Sequence, residues 1–510
     1  MSTASRIIKN TGWLYAKMAI TMFVSLYTTR LILNALGVVD FGIYAIVGGA
    51  IGMLGFLNGA MSSATQRFMS YAEGQGYQER KIGIFNVSIV IHLCLALVIA
   101  AVLAIAGFVY FNGVLNIPEN RMFAAKVVYG CLIFSTFLTV INVPYEAVMN
   151  AHENMRYFAL VGILESLLKL LVAIICVNVS YDKLIIYGIL MAFIPVITLT
   201  IMKIYCHKRY SECILKPFKY FKKNIAKEML GFTGWNFLGS SSSMIGNYGN
   251  GLVLNHFYGA ALNAATGIAN QLNGQLLVFS NNMLKALNPV ITKSEGAGNR
   301  ENMLKYATTG CKYSFALLAF FAIPFILEMD FIQHKWLKNV PSWAVLFAQL
   351  QIIRTLIEQL TISYGTAIAA EGRIAKYNVV SSIFNLLPVT ILFILFVNGF
   401  SPISMYVLNI SIFGILVALV KVFFAHKICG LKYRTFLVEL LLPSMTTFVL
   451  SFVITMIPKL YMEQSWLRTI LSFVICFPTY MICFYFICVN GDEKKVLKKL
   501  FYFLRTNFRN

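Results

Sequence analysis

Residues Thr233–Tyr258 read TGWNFLGSSSSMIGNYGNGLVLNHFY. At about 20 residues per ~30 Å hydrocarbon core, the stretch is long enough to cross a bilayer, yet it is rich in small polar side chains. Asn236, Ser240, Ser243, Asn247 and Asn250 are separated by four, three, four and three positions. At about 3.6 residues per turn, that spacing places all five on one stripe of a helix. Lipid offers no hydrogen-bond partners, so a polar stripe on a membrane helix is expected to face protein or water.

The stretch has an echo near the N-terminus. Thr233-Gly234-Trp235 and Leu252-Val253-Leu254-Asn255 correspond to Thr11-Gly12-Trp13 and Leu31-Ile32-Leu33-Asn34, at offsets of 222 and 221. Glu73-Gly74-Gln75-Gly76 with Glu79 reappears as Glu295-Gly296-Ala297-Gly298 with Glu301, again at 222. A weaker match pairs Ala151-His152-Glu153 with Ala369-Ala370-Glu371 at 218, each followed by a basic residue and a tyrosine. Four ordered matches at nearly one offset read as an internal duplication, with Thr233–Tyr258 as the first helix of the second half.

Composition places the chain in a membrane. Of its 510 residues 59% are hydrophobic and 12% charged, and mean hydropathy is +0.74. A soluble domain cannot hide that much apolar surface. The net charge of +22 does not point to nucleic acid, because the basic residues concentrate in short loops and the tail. The ten cysteines show no CxxC or CxxH spacing, so neither a disulfide framework nor a metal site is supported. The first apolar stretch is too long for a signal-peptide core and is kept as mature protein.

Fourteen spans are expected, near 11–33, 42–64, 84–110, 123–143, 157–178, 183–204, 230–257, 263–288, 305–328, 342–369, 376–397, 402–424, 436–457 and 467–489. The fold class is therefore all-α: a polytopic protein of two like-oriented six-helix repeats plus two C-terminal helices. The domain organisation expected is 1–222 for the N-lobe, 223–430 for the C-lobe, and 431–510 for the last two helices and a basic tail. With the N-terminus inside, inward segments carry 28 Lys and Arg against seven in outward ones. That bias sets both termini in the cytoplasm.

Uncharged polar residues gather in spans one, two, seven and eight, including Asn58 in the second and Asn270 and Asn273 in the eighth. So many amides cannot all pair across dry interfaces, and a wet cavity is the expectation. Isolated serines are equally accounted for by tight helix packing. Two ion pairs with four-residue spacing lie near the predicted midplane, Glu165 with Lys169 and Arg354 with Glu358, and Gln351 extends the second stripe. Each pair either lowers the cost of inserting its helix or takes part in substrate binding or coupling. Neither pair recurs in the other half. Arg30, Lys17 and Lys285 lie toward span ends, where long cationic side chains can reach headgroups. No GxxxxGK[ST] loop, HExxH motif or nucleophile elbow occurs, and the outward loops are too short for a catalytic domain. A two-lobed membrane protein with a polar cavity and no cofactor or metal reads as a secondary transporter rather than an enzyme.

Several motifs together resemble one family: Thr11-Gly12-Trp13, the Arg30 region, Leu36-Gly37 with Asp40-Phe41-Gly42-Ile43-Tyr44, Ser63-Ala64-Thr65-Gln66-Arg67-Phe68, and Pro144 through Glu153. The chain resembles the polysaccharide-flippase branch of the multidrug/oligosaccharidyl-lipid/polysaccharide (MOP) exporter superfamily, the Wzx-type O-antigen and capsule flippases. The resemblance is strongest over 1–160. It implies lobes meeting in a V around a cavity lined by spans one, two, seven and eight. It also implies an oligosaccharide on a polyprenyl diphosphate as substrate, carried from the inner to the outer leaflet of the bacterial inner membrane. Membrane lipids, a polysaccharide polymerase and other assembly proteins are the partners it suggests; nucleic acid is not among them. Cationic cavity side chains in related flippases bring Arg30 forward as a site residue. The substrate-cavity set expected is then Arg30, Asn58, Asn236, Ser240, Ser243, Asn247, Asn250, Asn270, Asn273, Gln351 and Arg354, with Glu165, Lys169 and Glu358 for coupling. Two alternatives stay open. One is a cation-coupled exporter of drugs or metabolites with the same fold, and the other a polymerase or glycosyltransferase acting on polyprenyl-linked sugars.

Overall fold

A computed structural model describes residues 3–52, 55–111, 117–337, 340–491 and 493–494. The basic tail expected at 490–510 lies mostly outside these residues. The described residues form helices and connecting turns, with no strand among them. We number the long helical segments in order: α1 (Thr3–Gly52), α2 (Gly55–Gln75), α3 (Gln78–Val109), α4 (Met122–Ala151), α5 (Met155–Asn178), α6 (Lys183–Arg209), α7 (Lys223–Gly296), α8 (Arg300–Trp336), α9 (Ala344–Glu371), α10 (Ala375–Val397), α11 (Ile403–Cys429), α12 (Thr435–Tyr461) and α13 (Trp466–Cys488). Among the described residues, eleven spans are long and apolar enough to cross a membrane. The other three of the fourteen expected are the polar or broken ones, second, seventh and eighth, which lie within α1–α2 and the two arms of α7.

Two of these segments are bent pairs of helices. α1 folds at Gly37 (φ 75°) and α7 at Gly259 (φ 78°). A positive φ is nearly free for glycine and costly for other residues, so each glycine fixes where one span stops and the next begins. The two bends are 222 residues apart, the offset of the sequence echoes. The duplication shows again in the loops. Gly76 and Gly298 both take positive φ (76° and 74°) at the same offset, and Glu153 (φ 55°) answers Gly372 (φ 101°) at 219. Both glycines fall in the breaks expected between spans, three and four residues past the echoed Leu31–Asn34 and Leu252–Asn255; their shared left-handed conformation is what the sequence did not specify.

The chain divides into two compact units. The N-unit holds Lys9–Phe237 with Gly296–Gly298, and the C-unit holds Met1–Ile8, Leu238–Glu295 and Asn299–Asn510. The N-unit core gathers Val47, Ala96, Leu103, Ala125, Val128 and Leu184 from α1, α3, α4 and α6. The C-unit core runs from Leu254 and Ala269 through Phe315, Phe347 and Leu392 to Tyr480. α12 and α13 are thus built into the C-unit.

A buried ion pair fastens the last helix. Glu328 of α8 and Arg468 of α13 are almost wholly enclosed. The Arg468 Nη2 donates to Glu328 Oε2 at 2.7 Å, and the Ser472 hydroxyl donates to Oε1 at 3.1 Å. Nearby, Phe320 stacks on Phe477 with centroids 4.3 Å apart. Removing one partner of a buried pair leaves a charge without compensation. Arg468→Leu is therefore expected to cost about 3–5 kcal/mol, seen as earlier thermal unfolding of the purified protein in detergent. Arg468→Leu combined with Glu328→Leu is expected to recover most of that loss.

Candidate functional site

The first arm of α7 carries two stripes, and together they make the site. One consists of Gly239, Ser242, Gly246 and Gly249, which pack on α10. The Ser242 and Ser382 hydroxyls are 2.9 Å apart. A Cβ at 246 would collide with the backbone carbonyl oxygen of Asn385, and one at 249 would press on Val389. Only glycine at 246 allows the two backbones to approach this closely. The second stripe, Ser240, Ser243, Asn247 and Asn250, lies one residue on, about 100° around the helix. Close packing of the first stripe therefore aims the second beside the α7–α10 seam.

There a cavity of about 320 Å³ opens within the C-unit, lined by Asn247, Asn250, Asn270, Gln351, Arg354 and Tyr406, with Thr266 and Asn409 among the remainder. Arg354 of α9 is buried. Its Nε donates to Glu358 Oε1 at 2.7 Å, its Nη1 donates to Asn247 Oδ1 at 3.2 Å, and its guanidinium lies 4.5 Å from the Phe413 ring centroid. The Asn247 amide nitrogen donates to the Ser243 carbonyl at 2.8 Å. Asn250 Nδ2 donates to Asn409 Oδ1 at 2.9 Å. Phe413 belongs to the wide-turned stretch Ile410–Leu416 of α11, which directly follows Asn409. The Arg354–Glu358 pair is thus tied into three helices, beyond the intrahelical contact its spacing predicts.

The expected site residues fall into separate groups. Asn247, Asn250, Asn270, Gln351 and Arg354 come together at the C-unit cavity, with Glu358 holding Arg354. Asn273, on the same arm of α7 as Asn270, is buried. Ser240 is exposed, and Ser243 meets Asn247 through its carbonyl. Arg30, Asn58, Glu165, Lys169 and Asn236 belong to the N-unit. There Lys169 Nζ donates to Glu165 Oε1 at 2.6 Å, with both side chains about four-tenths exposed. Lys17 lies 4.6 Å above the Phe158 ring, within electrostatic reach of Glu165, Glu146 and Lys169. It is drawn into this charged group, where position alone suggested a reach to headgroups. Arg30 is exposed and makes no hydrogen bond or ion pair among the described residues. Sequence reasoning missed Tyr406, Asn409 and Phe413. Polar Tyr and Asn within an apolar span, three residues apart, were the available signal.

At one end of the N-unit, His152 bridges Glu73 (3.4 Å from Nδ1) and Glu212 (2.5 Å from Nε2) and stacks on Tyr210. Lys81 approaches Glu73 to 2.8 Å. Burial pushes the Glu212 carboxyl up, but its hydrogen bond to His152 and the charge there outweigh burial and hold it below the ordinary range. A carboxyl depressed on folding stabilises above its unfolded value of about 4.3, and that contribution fades as pH falls through the lower folded value. Glu212→Gln should therefore lower the melting temperature at neutral pH, with the gap from wild type closing in acid.

A family model described as polysaccharide biosynthesis protein matches residues 7–295. No curated protein matches the chain. Among solved structures, MATE in the bent conformation superposes with a TM-score of 0.71 at 15% identity, covering 84% of this chain and 96% of that one. A MOP superfamily transporter from Pyrococcus furiosus gives 0.69 at 14% identity, covering 83% and 95%. An outward-facing multidrug resistance MATE family transporter gives 0.68 at 14%, with the same coverage. At these identities the likeness is one of fold.

Gly246→Ala is expected to force α7 from α10 at a cost of about 1–3 kcal/mol. Gly267→Ala, in the second arm of α7 with open space around it, should be neutral or stabilising by up to about 1 kcal/mol. Melting of the two purified variants checks this.

Proposed function

The chain belongs to the polysaccharide biosynthesis protein family, and from that premise we propose that this multi-pass membrane transporter is a flippase. Its substrate in this reading is a polyprenyl-diphosphate-linked oligosaccharide, the repeat unit of a surface polysaccharide or lipopolysaccharide. It carries that unit from the inner to the outer leaflet of the bacterial plasma membrane by alternating access. The observation that supports the reading most is the C-unit cavity. Amides, hydroxyls and an arginine line a chamber among helices that are otherwise apolar. A glycan needs such surfaces to shed its water within a membrane, whereas the polyprenyl tail needs none.

The diphosphate asks for a cation with no counter-ion of its own. We assign that role to Arg30, which is exposed and unpaired among the described residues. Both termini face the cytoplasm in this scheme, as the Lys and Arg bias requires. The Glu165–Lys169 pair, open on the N-unit, is the proposed coupling site, and a polysaccharide polymerase and other assembly proteins are the proposed partners. A second reading, cation-coupled export of a drug or metabolite, also draws on Glu165, because its side chain is accessible.

Deleting the gene in a strain with no second flippase should abolish surface polysaccharide and leave the lipid-linked intermediate at the cytoplasmic face. Intact polysaccharide with an altered drug-susceptibility profile would instead select the second reading. Arg30→Ala and Arg354→Ala are each expected to cut export on the order of tenfold, from loss of a charge-assisted hydrogen bond worth roughly 1.5–3 kcal/mol, at unchanged protein level. Normal export by both variants would remove these two cations from the mechanism.

A further inference from the structure

Two buried polar atoms at the C-unit cavity lack partners. The Tyr406 side chain is 1% exposed. Its hydroxyl makes no hydrogen bond of good geometry among the described residues: Thr266 is near enough to pair with it only weakly, and the Thr266 hydroxyl already donates to the Leu262 carbonyl. Asn250 is 3% exposed, and its Oδ1 is likewise unpartnered, because its amide nitrogen is engaged by Asn409. Turning both amides over would exchange the orphan acceptor for an orphan donor, so one polar edge of Asn250 is left in either case. An unmet polar atom at such depth is costly unless something occupies the cavity and completes it.

The charge at this cavity is already balanced. Glu358 holds the Arg354 guanidinium through Nε, and Phe413 covers its face. The other polar groups of the lining are amides, hydroxyls and backbone, all uncharged. A diphosphate placed here would meet no free cation and would sit close to the Glu358 carboxylate. A small-molecule cation would find no free carboxylate, because Glu358 is engaged. Asn and Gln amides and the Tyr hydroxyl each supply both donors and acceptors, which matches sugar hydroxyls and acetamido groups. The exposed Tyr248 ring offers an apolar face for the C–H side of a pyranose. At about 320 Å³, the cavity lies at the small end of ligand pockets and suits a single sugar residue better than a whole repeat unit.

Resting on the flippase reading above, we propose that the C-unit cavity is a subsite for one uncharged sugar of the glycan. Tyr406 and Asn250 complete its hydrogen bonds, and the Arg354–Glu358 pair selects against an acidic sugar. The diphosphate is then bound elsewhere. Glu358 becomes a specificity-determining residue, since it cancels a charge that would otherwise attract carboxylates.

The test uses the full-length protein in lipid nanodiscs and three probes: sugar-free polyprenyl diphosphate, the same lipid bearing a neutral N-acetylhexosamine–hexose chain, and the same lipid with a hexuronic acid in place of the hexose. Wild type should bind the neutral glycolipid at least about tenfold more tightly than the sugar-free lipid. Tyr406→Phe and Asn250→Leu, checked for unchanged melting, should each weaken the neutral glycolipid about tenfold, the scale of one lost buried hydrogen bond, and leave sugar-free binding unaltered. Glu358→Gln should reverse the preference, so that the hexuronate glycolipid binds more tightly than the neutral one. The proposal is overturned if the sugar adds no affinity in wild type. It is also overturned if Tyr406→Phe weakens both lipids equally or neither, which would mark the cavity as water-filled or structural. In those cases the flippase reading survives, because the polyprenyl lipid is still bound. Wild-type failure to bind any of the three probes would instead sink the flippase reading itself.

Discussion

The C-unit depends on the close approach of α7 to α10 through Gly239, Ser242, Gly246 and Gly249. In a membrane the hydrophobic effect gives helices little reason to prefer each other over lipid. Association rests on van der Waals packing and on hydrogen bonds that small residues let form. Once Gly246 meets the Asn385 backbone and Ser242 meets Ser382, the rotation of α7 about its own axis is settled. The polar stripe one residue on is turned beside that seam, with Asn247 and Asn250 at the cavity. A packing constraint thereby produces a binding surface: the small residues decide where the amides point.

Charge is handled in different ways at different depths. Glu328 and Arg468 are enclosed and fully hydrogen-bonded, and they fasten a helix. Arg354 and Glu358 are also paired, but beside a cavity, with Asn247 and Phe413 as further partners. Glu165 and Lys169 are paired and accessible. Arg30 is accessible with no partner among the described residues. This is a gradient from structural to available charge. It separates groups by what they can still bind, because a cation whose field is cancelled recognises shape and hydrogen bonding before charge.

Much of this was legible in the sequence. The spacing of Ser240, Ser243, Asn247 and Asn250 gave the stripe, and the echo at 222 gave the duplication, which the positive-φ glycines at 37 and 259 and at 76 and 298 carry in the backbone. Span count followed from hydropathy, and the three weakest spans were weak for a physical reason: they carry the polar residues. What stayed hidden was long-range. Periodicity says which residues share a face, but not which helix that face meets. Tyr406, Asn409 and Phe413 reach the site from a segment more than a hundred residues beyond Asn250; the Tyr406–Asn409 spacing in an apolar span hints at a polar face, but nothing local says which helix it meets. The Arg354–Glu358 spacing was readable, but the Asn247 carbonyl and the Phe413 ring that complete its surroundings were not. The glycines of α7 were in plain view among the serines, yet their role follows only from the neighbour they touch.

The duplication sharpens the functional argument. Both halves of the sequence inherit the same bent helix pair and the same glycine turn after it, so those features belong to the scaffold. The charges differ. In the N-unit Lys17 lies within electrostatic reach of Glu146, Glu165 and Lys169, while the C-unit cavity has one guanidinium locked to one carboxylate beside a lining of amides. Divergence on a shared backbone is where the two halves have taken different work. The N-unit keeps accessible charge, suited to an anion or a coupling ion, and the C-unit has cancelled its charge and kept hydrogen-bonding capacity. A substrate with an anionic head and a neutral glycan presents those same two demands, and a duplicated fold can meet them separately without compromising either half.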